Sequence, residues 1–168
     1  THKTPLRRML GLILCLSMLV GLALPALGAA PTTETPKTPT AASDFEFNAR
    51  TGTIKKYTGS DTDIIIPVAI DGITVKALDD IFTYSEVTTV VVPSTVKTIG
   101  EYEFEGCHSM TDLYFYGVPS NLSSIAEYSD LGTFTVHCKA KDEEAFMNEL
   151  DGYVTVEADI SDDLADPA

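Results

Sequence analysis

The chain has 168 residues, 44% of them hydrophobic, enough for one domain with a core and too apolar for a wholly disordered protein. Its 25 acidic residues against 11 basic ones give a formal net charge of −14. That argues against nucleic acid and anionic membrane as partners, since both need clustered Lys and Arg. Three cysteines without a CxxC pair exclude a Cys-rich zinc module, and three histidines, at 2, 108 and 137, are too scattered for a His-rich metal site.

Residues 1–29 read as a secretory signal peptide. Lys3, Arg7 and Arg8 form a basic start, Met9 to Leu24 an unbroken apolar run, and Pro25 breaks it ahead of Ala26, Leu27 and Gly28. The same run is nearly long enough to span a membrane, so an uncleaved anchor is the alternative. Cleavage is favoured because the breaker and the small residues sit where a cleavage site belongs. The remaining chain would carry 25 acids against 8 bases, a net of −17. Residues 30–43 are Pro, Thr, Ala and Ser with little to bury, the composition of a linker.

A patterned body follows over residues 44–157. Asp44 to Phe47 alternates as a short strand, Thr51-Gly52-Thr53 turns, and Ile54 to Tyr57 returns, an N-terminal β-hairpin cap. Gly59-Ser60-Asp61 then turns into Ile64-Ile65-Ile66-Pro67. From there the chain repeats. Phe82 to Phe104 is 22 residues, and Val87 to Met110, Val90 to Leu113 and Val92 to Phe115 are each 23. Phe134 and Val136 suggest a later copy, and Val154 and Val156 a last strand. A period near 23 is leucine-rich-repeat spacing. One strand per coil, stacked in parallel, buries alternate side chains between neighbours and turns the others outward. Lys139 to Leu150, acidic in its first turn and followed by Gly152, predicts a short helix. With the strand at 153–157 it would form a C-terminal helix-strand cap. Residues 158–168 read as a solvated acidic tail.

The stretch from Val90-Val91-Val92-Pro93 through Val96-Lys97-Thr98-Ile99-Gly100, Phe104-Glu105-Gly106-Cys107 and Met110-Thr111 resembles the BspA-type leucine-rich repeat. The resemblance extends over about residues 45–157 and is most specific over 87–117. Two departures stand out: Asp79-Asp80 where the family has Gly after Ile, and Glu103 where it has a small residue before the aromatic. The resemblance implies a β-rich solenoid of few coils at a cell surface, used in adhesion or host-protein binding.

The chemistry-bearing residues are sparse. Cys107 and Cys138 could pair in an exported protein; alternatively Cys107 is a small buried hydrophobe, as the family's Gly-Cys position implies. A cysteine nucleophile served by His108 or His137 lacks an orienting group, and His137 points away from its neighbour Cys138 on a strand. Acid clusters at Asp61/Asp63, Asp79/Asp80, Glu101/Glu103/Glu105, Asp142/Glu143/Glu144 and Asp162/Asp163 lack the alternating loop of a calcium site. Asn121-Leu122-Ser123 fits a glycosylation sequon.

No cofactor and no metal are expected. If Val90, Val92, Leu113 and Phe115 point inward, an outward column of Ile65, Val91, Tyr114 and Thr135 results, with Asp63 and Asp112 beside it and Tyr116 beyond. Exposed apolar and Tyr side chains on a rigid ladder suit a protein or polysaccharide ligand. β-Propensity alone accounts for the same residues. The sequence thus points to an exported, non-enzymatic binding module, secreted or at the cell surface, and alternatively to a structural spacer.

Overall fold

The computed structural model describes residues 38–123, 125, 134–150 and 152–167. They belong to one compact unit, Glu34–Ala168; residues 1–29, read above as a signal peptide, and most of the linker at 30–43 lie outside the described residues. No helix among the described residues is long and apolar enough to cross a membrane.

The first elements are an antiparallel hairpin, β1 (Phe45–Asn48) and β2 (Thr53–Tyr57), in which Phe45 faces Tyr57. Gly52 closes it with φ +72°, where a Cβ would strike the Thr74 carbonyl oxygen at 2.7 Å. Next come β3 (Asp63–Ile65) and a small hairpin, β4 (Ala69–Ile70) with β5 (Ile73–Thr74). Asp71 and Gly72 link the two with φ of 51° and 77°, the left-handed pair that a two-residue turn requires. β6 (Ala77–Leu78), β7 (Thr89–Val92), β8 (Asp112–Phe115) and β9 (Thr135–Lys139) follow. A 3-10 turn at Ala140–Asp142 leads into helix α1 (Glu143–Leu150) and then β10 (Thr155–Ile160).

The principal sheet has five strands in the order β10-β9-β8-β7-β3, all neighbours parallel. Its register follows the repeat: Ile64 pairs with Val90, Val90 with Leu113 and Leu113 with Val136. All four are fully buried. Each step from β7 to β9 advances 23 residues, so every coil returns the same strand position to the same depth. A second column runs along β2, β6 and a bridge to Thr98. Phe82 and Phe104 of the buried core stack at 6.0 Å and 12°. Phe146 of α1 packs on Phe115, ring centroids 5.3 Å apart, and seats the helix on the same core.

The two departures from the repeat pattern are one device. Asp80 takes φ +56° where glycine would be easiest. The buried Glu103 carboxylate accepts the N–H groups of Asp80 (2.8 Å), Ile81 (3.1 Å) and Gly100 (3.3 Å). Asp80 Oδ1 in turn accepts the N–H of Tyr102 at 3.1 Å. Two acids thus hold a turn that the common pattern builds with small residues. Burial, which outweighs these hydrogen bonds, pushes the Glu103 carboxyl up to about 7.

The C-terminal segment differs from its reading as a solvated tail. β10 continues to Ile160, three residues past the expected end. Beyond it, Asp166 accepts Ser94 N–H (3.0 Å) and Ser94 Oγ–H (2.7 Å), and Lys139 Nζ donates to Leu164 O at 2.7 Å. The linker's end is also held, since Thr40 N–H donates to Ile65 O and Thr40 Oγ1 accepts Ile65 N–H, both at 3.0 Å.

Candidate functional site

Side chains on the sheet face away from the core fall into rows across the strands. One row is Asp63, Thr89, Asp112, Thr135 and Thr155, each paired with the next. The adjacent row is Ile65, Val91, Tyr114, His137 and Glu157. Tyr116 and Lys139 lie beyond it, the Lys139 ammonium 5.6 Å from the Tyr116 ring centroid.

The expected column therefore needs two corrections. First, Thr135 does not follow Tyr114; it stands opposite Asp112, and His137 takes the place beside Tyr114. Matching Phe134 and Val136 to the apolar positions of β8 slipped the row by two. Adding the 23-residue step to Tyr114 lands on His137, and that was the signal available in the sequence.

Second, outward does not mean open. Ile65, Val91, Tyr114 and Tyr116 are 2%, 0%, 5% and 3% exposed, and with Ile160 they form a second apolar cluster. A register shift between Glu157 and Ile160 puts Ile160 opposite Lys139, on this side of the sheet. Period-2 alternation fixes which face a side chain is on, not what covers that face. The accessible part is the other row. Asp63 and Thr155 are exposed and Thr89, Asp112 and Thr135 half-buried, with Glu157 and Asp159 exposed at the β10 end.

At that end the two rows meet in a polar constellation. His137 is 5% exposed. Its Nε2 lies 3.0 Å from Asp112 Oδ1 and its Nδ1 lies 3.0 Å from Asp159 Oδ2. Its ring stacks on Tyr114, centroids 4.2 Å apart and 10° from parallel. Burial first, and then the Asp112 charge, raises the Tyr114 phenol to about 12, so it stays protonated at any physiological pH. Asp112 Oδ2 accepts the Thr111 hydroxyl at 2.7 Å.

The cysteines are not at this site and do not pair. Both are free and buried. Cys107 lies in a turn, where its thiol donates to Phe82 O at 2.9 Å; Cys138 lies on the core side of β9. Burial raises both thiols, Cys138 to about 11, which opposes thiolate chemistry. His108 is exposed. The sequon's Asn121 is also committed: its Oδ1 accepts Ile99 N–H (3.1 Å) and its Nδ2 donates to Ile99 O (2.6 Å).

Comparison with known families agrees with this architecture. A family model described as "BspA type Leucine rich repeat region" matches residues 40–149 in six copies. No curated protein and no solved structure matches the chain.

Proposed function

The chain belongs to the BspA-type leucine-rich repeat family, and from that premise we propose that it is an exported, non-enzymatic binding module of the cell surface, built as a short solenoid with a cap at each end. Family membership supports a repeat protein-interaction module. The binding face is the open row Asp63, Thr89, Asp112, Thr135 and Thr155, with Glu157 and Asp159 at its end. The observation that carries this reading is the register, which sets five small or acidic side chains side by side on one parallel sheet. Parallel strands lie about 4.8 Å apart, so the spacing is fixed before a ligand arrives and little conformational entropy is lost on association.

The ligand is an extracellular protein or polysaccharide with basic or hydrogen-bonding groups that match the acids of the row. The acidic face and the net charge of −14 disfavour nucleic acid and anionic lipid. The non-enzymatic reading is favoured by two buried thiols with raised pKa. The signal-like segment at residues 1–29 supports export. The second reading, a spacer with no ligand of its own, is favoured by the small number of coils.

The test is a binding screen of the whole chain against extracellular-matrix proteins, plasma proteins and polysaccharides, beside the pair Asp63→Arg/Thr135→Arg. Binding lost at least tenfold in the pair supports the row. Binding unchanged in the pair discards it, and no binding to any panel member favours the spacer.

A further inference from the structure

The constellation around His137 holds more negative charge than one imidazole can answer. Asp112, Glu157 and Asp159 bring three carboxylates to a single ring from three directions. Asp112 approaches Nε2 from β8, Asp159 approaches Nδ1 from β10, and Glu157 stands opposite His137 in the β9–β10 register. Ligand atoms of His137, Glu157 and Asp159 all lie within 4.8 Å of one another.

A carboxylate only accepts, and a neutral imidazole has one N–H and one lone pair. Asp112 is held in place by Thr111, with its Oδ1 3.0 Å from Nε2. Nδ1 faces Asp159 Oδ2 at 3.0 Å, and the Glu157 carboxylate lies within reach of the same two groups. One imidazole can give a hydrogen bond to Asp112 and to Asp159 at most, which leaves the Glu157 carboxylate and a surplus of negative charge. A divalent cation satisfies both carboxylates and the nitrogen together.

We propose that His137 Nδ1, Glu157 and Asp159 form a zinc-class metal site on the outer face of the sheet, with Asp112 as the group that orients the imidazole. One nitrogen and two carboxylates suit a borderline divalent ion, and three protein ligands leave a position for water. Calcium and magnesium prefer all-oxygen sets, so the imidazole selects against them. The stacked Tyr114 and the Asp112 bond hold the ring in the binding pose, as an outer-shell carboxylate does for a metal-bound histidine. The exposed Glu157 and Asp159 give the ion a path from solvent. A bound ion would tie β10 to β9.

The experiment is zinc titration of the chelator-treated full chain by calorimetry, with nitrogen NMR of the His137 ring. One saturable site is expected, with metal on Nδ1 and the proton retained on Nε2. Asp112→Asn should weaken it about 10- to 100-fold. Glu157→Gln should also weaken it, and His137→Gln abolish it, while His108→Ala changes nothing. Glu157 is on the surface, so its variant remains decisive if His137→Gln fails to fold. The proposal is overturned by the absence of saturable zinc binding. Equal affinity in the Glu157 variant, or a ring protonated on both nitrogens at zinc saturation, would overturn it as well.

Discussion

The two faces of the five-stranded sheet share one register and differ in almost everything else. On the inner face the row Ile64, Val90, Leu113, Val136 is aliphatic from end to end and fully buried. On the outer face the adjacent positions run Ile65, Val91, Tyr114, His137, Glu157, from aliphatic at the β3 end to charged at the β10 end. The inner row is what stacking demands, since each coil must offer its neighbour the same surface. The outer row is free of that demand and carries a gradient. Uniformity across a repeat therefore marks the core, and variation across it marks where function can reside.

Truncation of the inner row breaks the comparison most severely. Leu113→Ala removes a fully buried side chain flanked by Val90 and Val136 and should cost about 3 kcal/mol of unfolding free energy, measured by urea denaturation. A loss under about 1 kcal/mol would mean that the inner row is not the seat of stability.

Glu103 comes next, because it is the one acid buried among the described residues. Its carboxyl is raised from 4.5 to about 7 by burial. The contribution of its protonated form is then fully present below about pH 4.5 and fades as pH rises through about 7. The pH-dependent part is on the order of 3 kcal/mol. Denaturation between these limits should show the wild type losing stability relative to Glu103→Gln as pH rises. Parallel curves would refute the buried-acid assignment.

Asp166→Ala removes two hydrogen bonds from Ser94 at a half-buried site and should cost about 1 kcal/mol. An unchanged melting curve would return the C-terminal segment to the status of a loose tail. The smallest effect is kinetic. Cys107 and Cys138 should react with a thiol probe only at the rate of opening of the fold, because both are buried and neither is bonded to the other. Rapid labelling of either of these two residues in the native protein would contradict that.

Much of this was legible in the sequence. The 23-residue step from Val90 to Leu113 placed β7 and β8 and their inner residues, and the acidic first turn before Phe146 and Leu150 placed α1. The outer face was read less well, for two physical reasons. Alternation separates faces without reporting what covers them, so Val91 and Tyr114 were assigned correctly to the outside and wrongly to the surface. A slip of two residues preserves alternation, so Thr135 could stand in for His137 without any local warning. The His137 constellation also depends on Asp159, which lay in a segment that composition alone marks as solvated. Glu103 was noticed as a departure, but its tie to Asp80 needed three-dimensional contact to appear.

The inner row carries stability, and on the proposed function the open outer row carries recognition. The most direct measurement places Leu113→Ala and Asp63→Arg/Thr135→Arg side by side, each tested by denaturation and against a ligand captured from the panel of matrix proteins, plasma proteins and polysaccharides. The account predicts a crossed result. The outer pair should keep its stability within about 1 kcal/mol and lose binding at least tenfold. Leu113→Ala should lose stability while its folded fraction still binds. An outer pair that binds normally, or that fails to fold, would contradict the division of labour between the two faces.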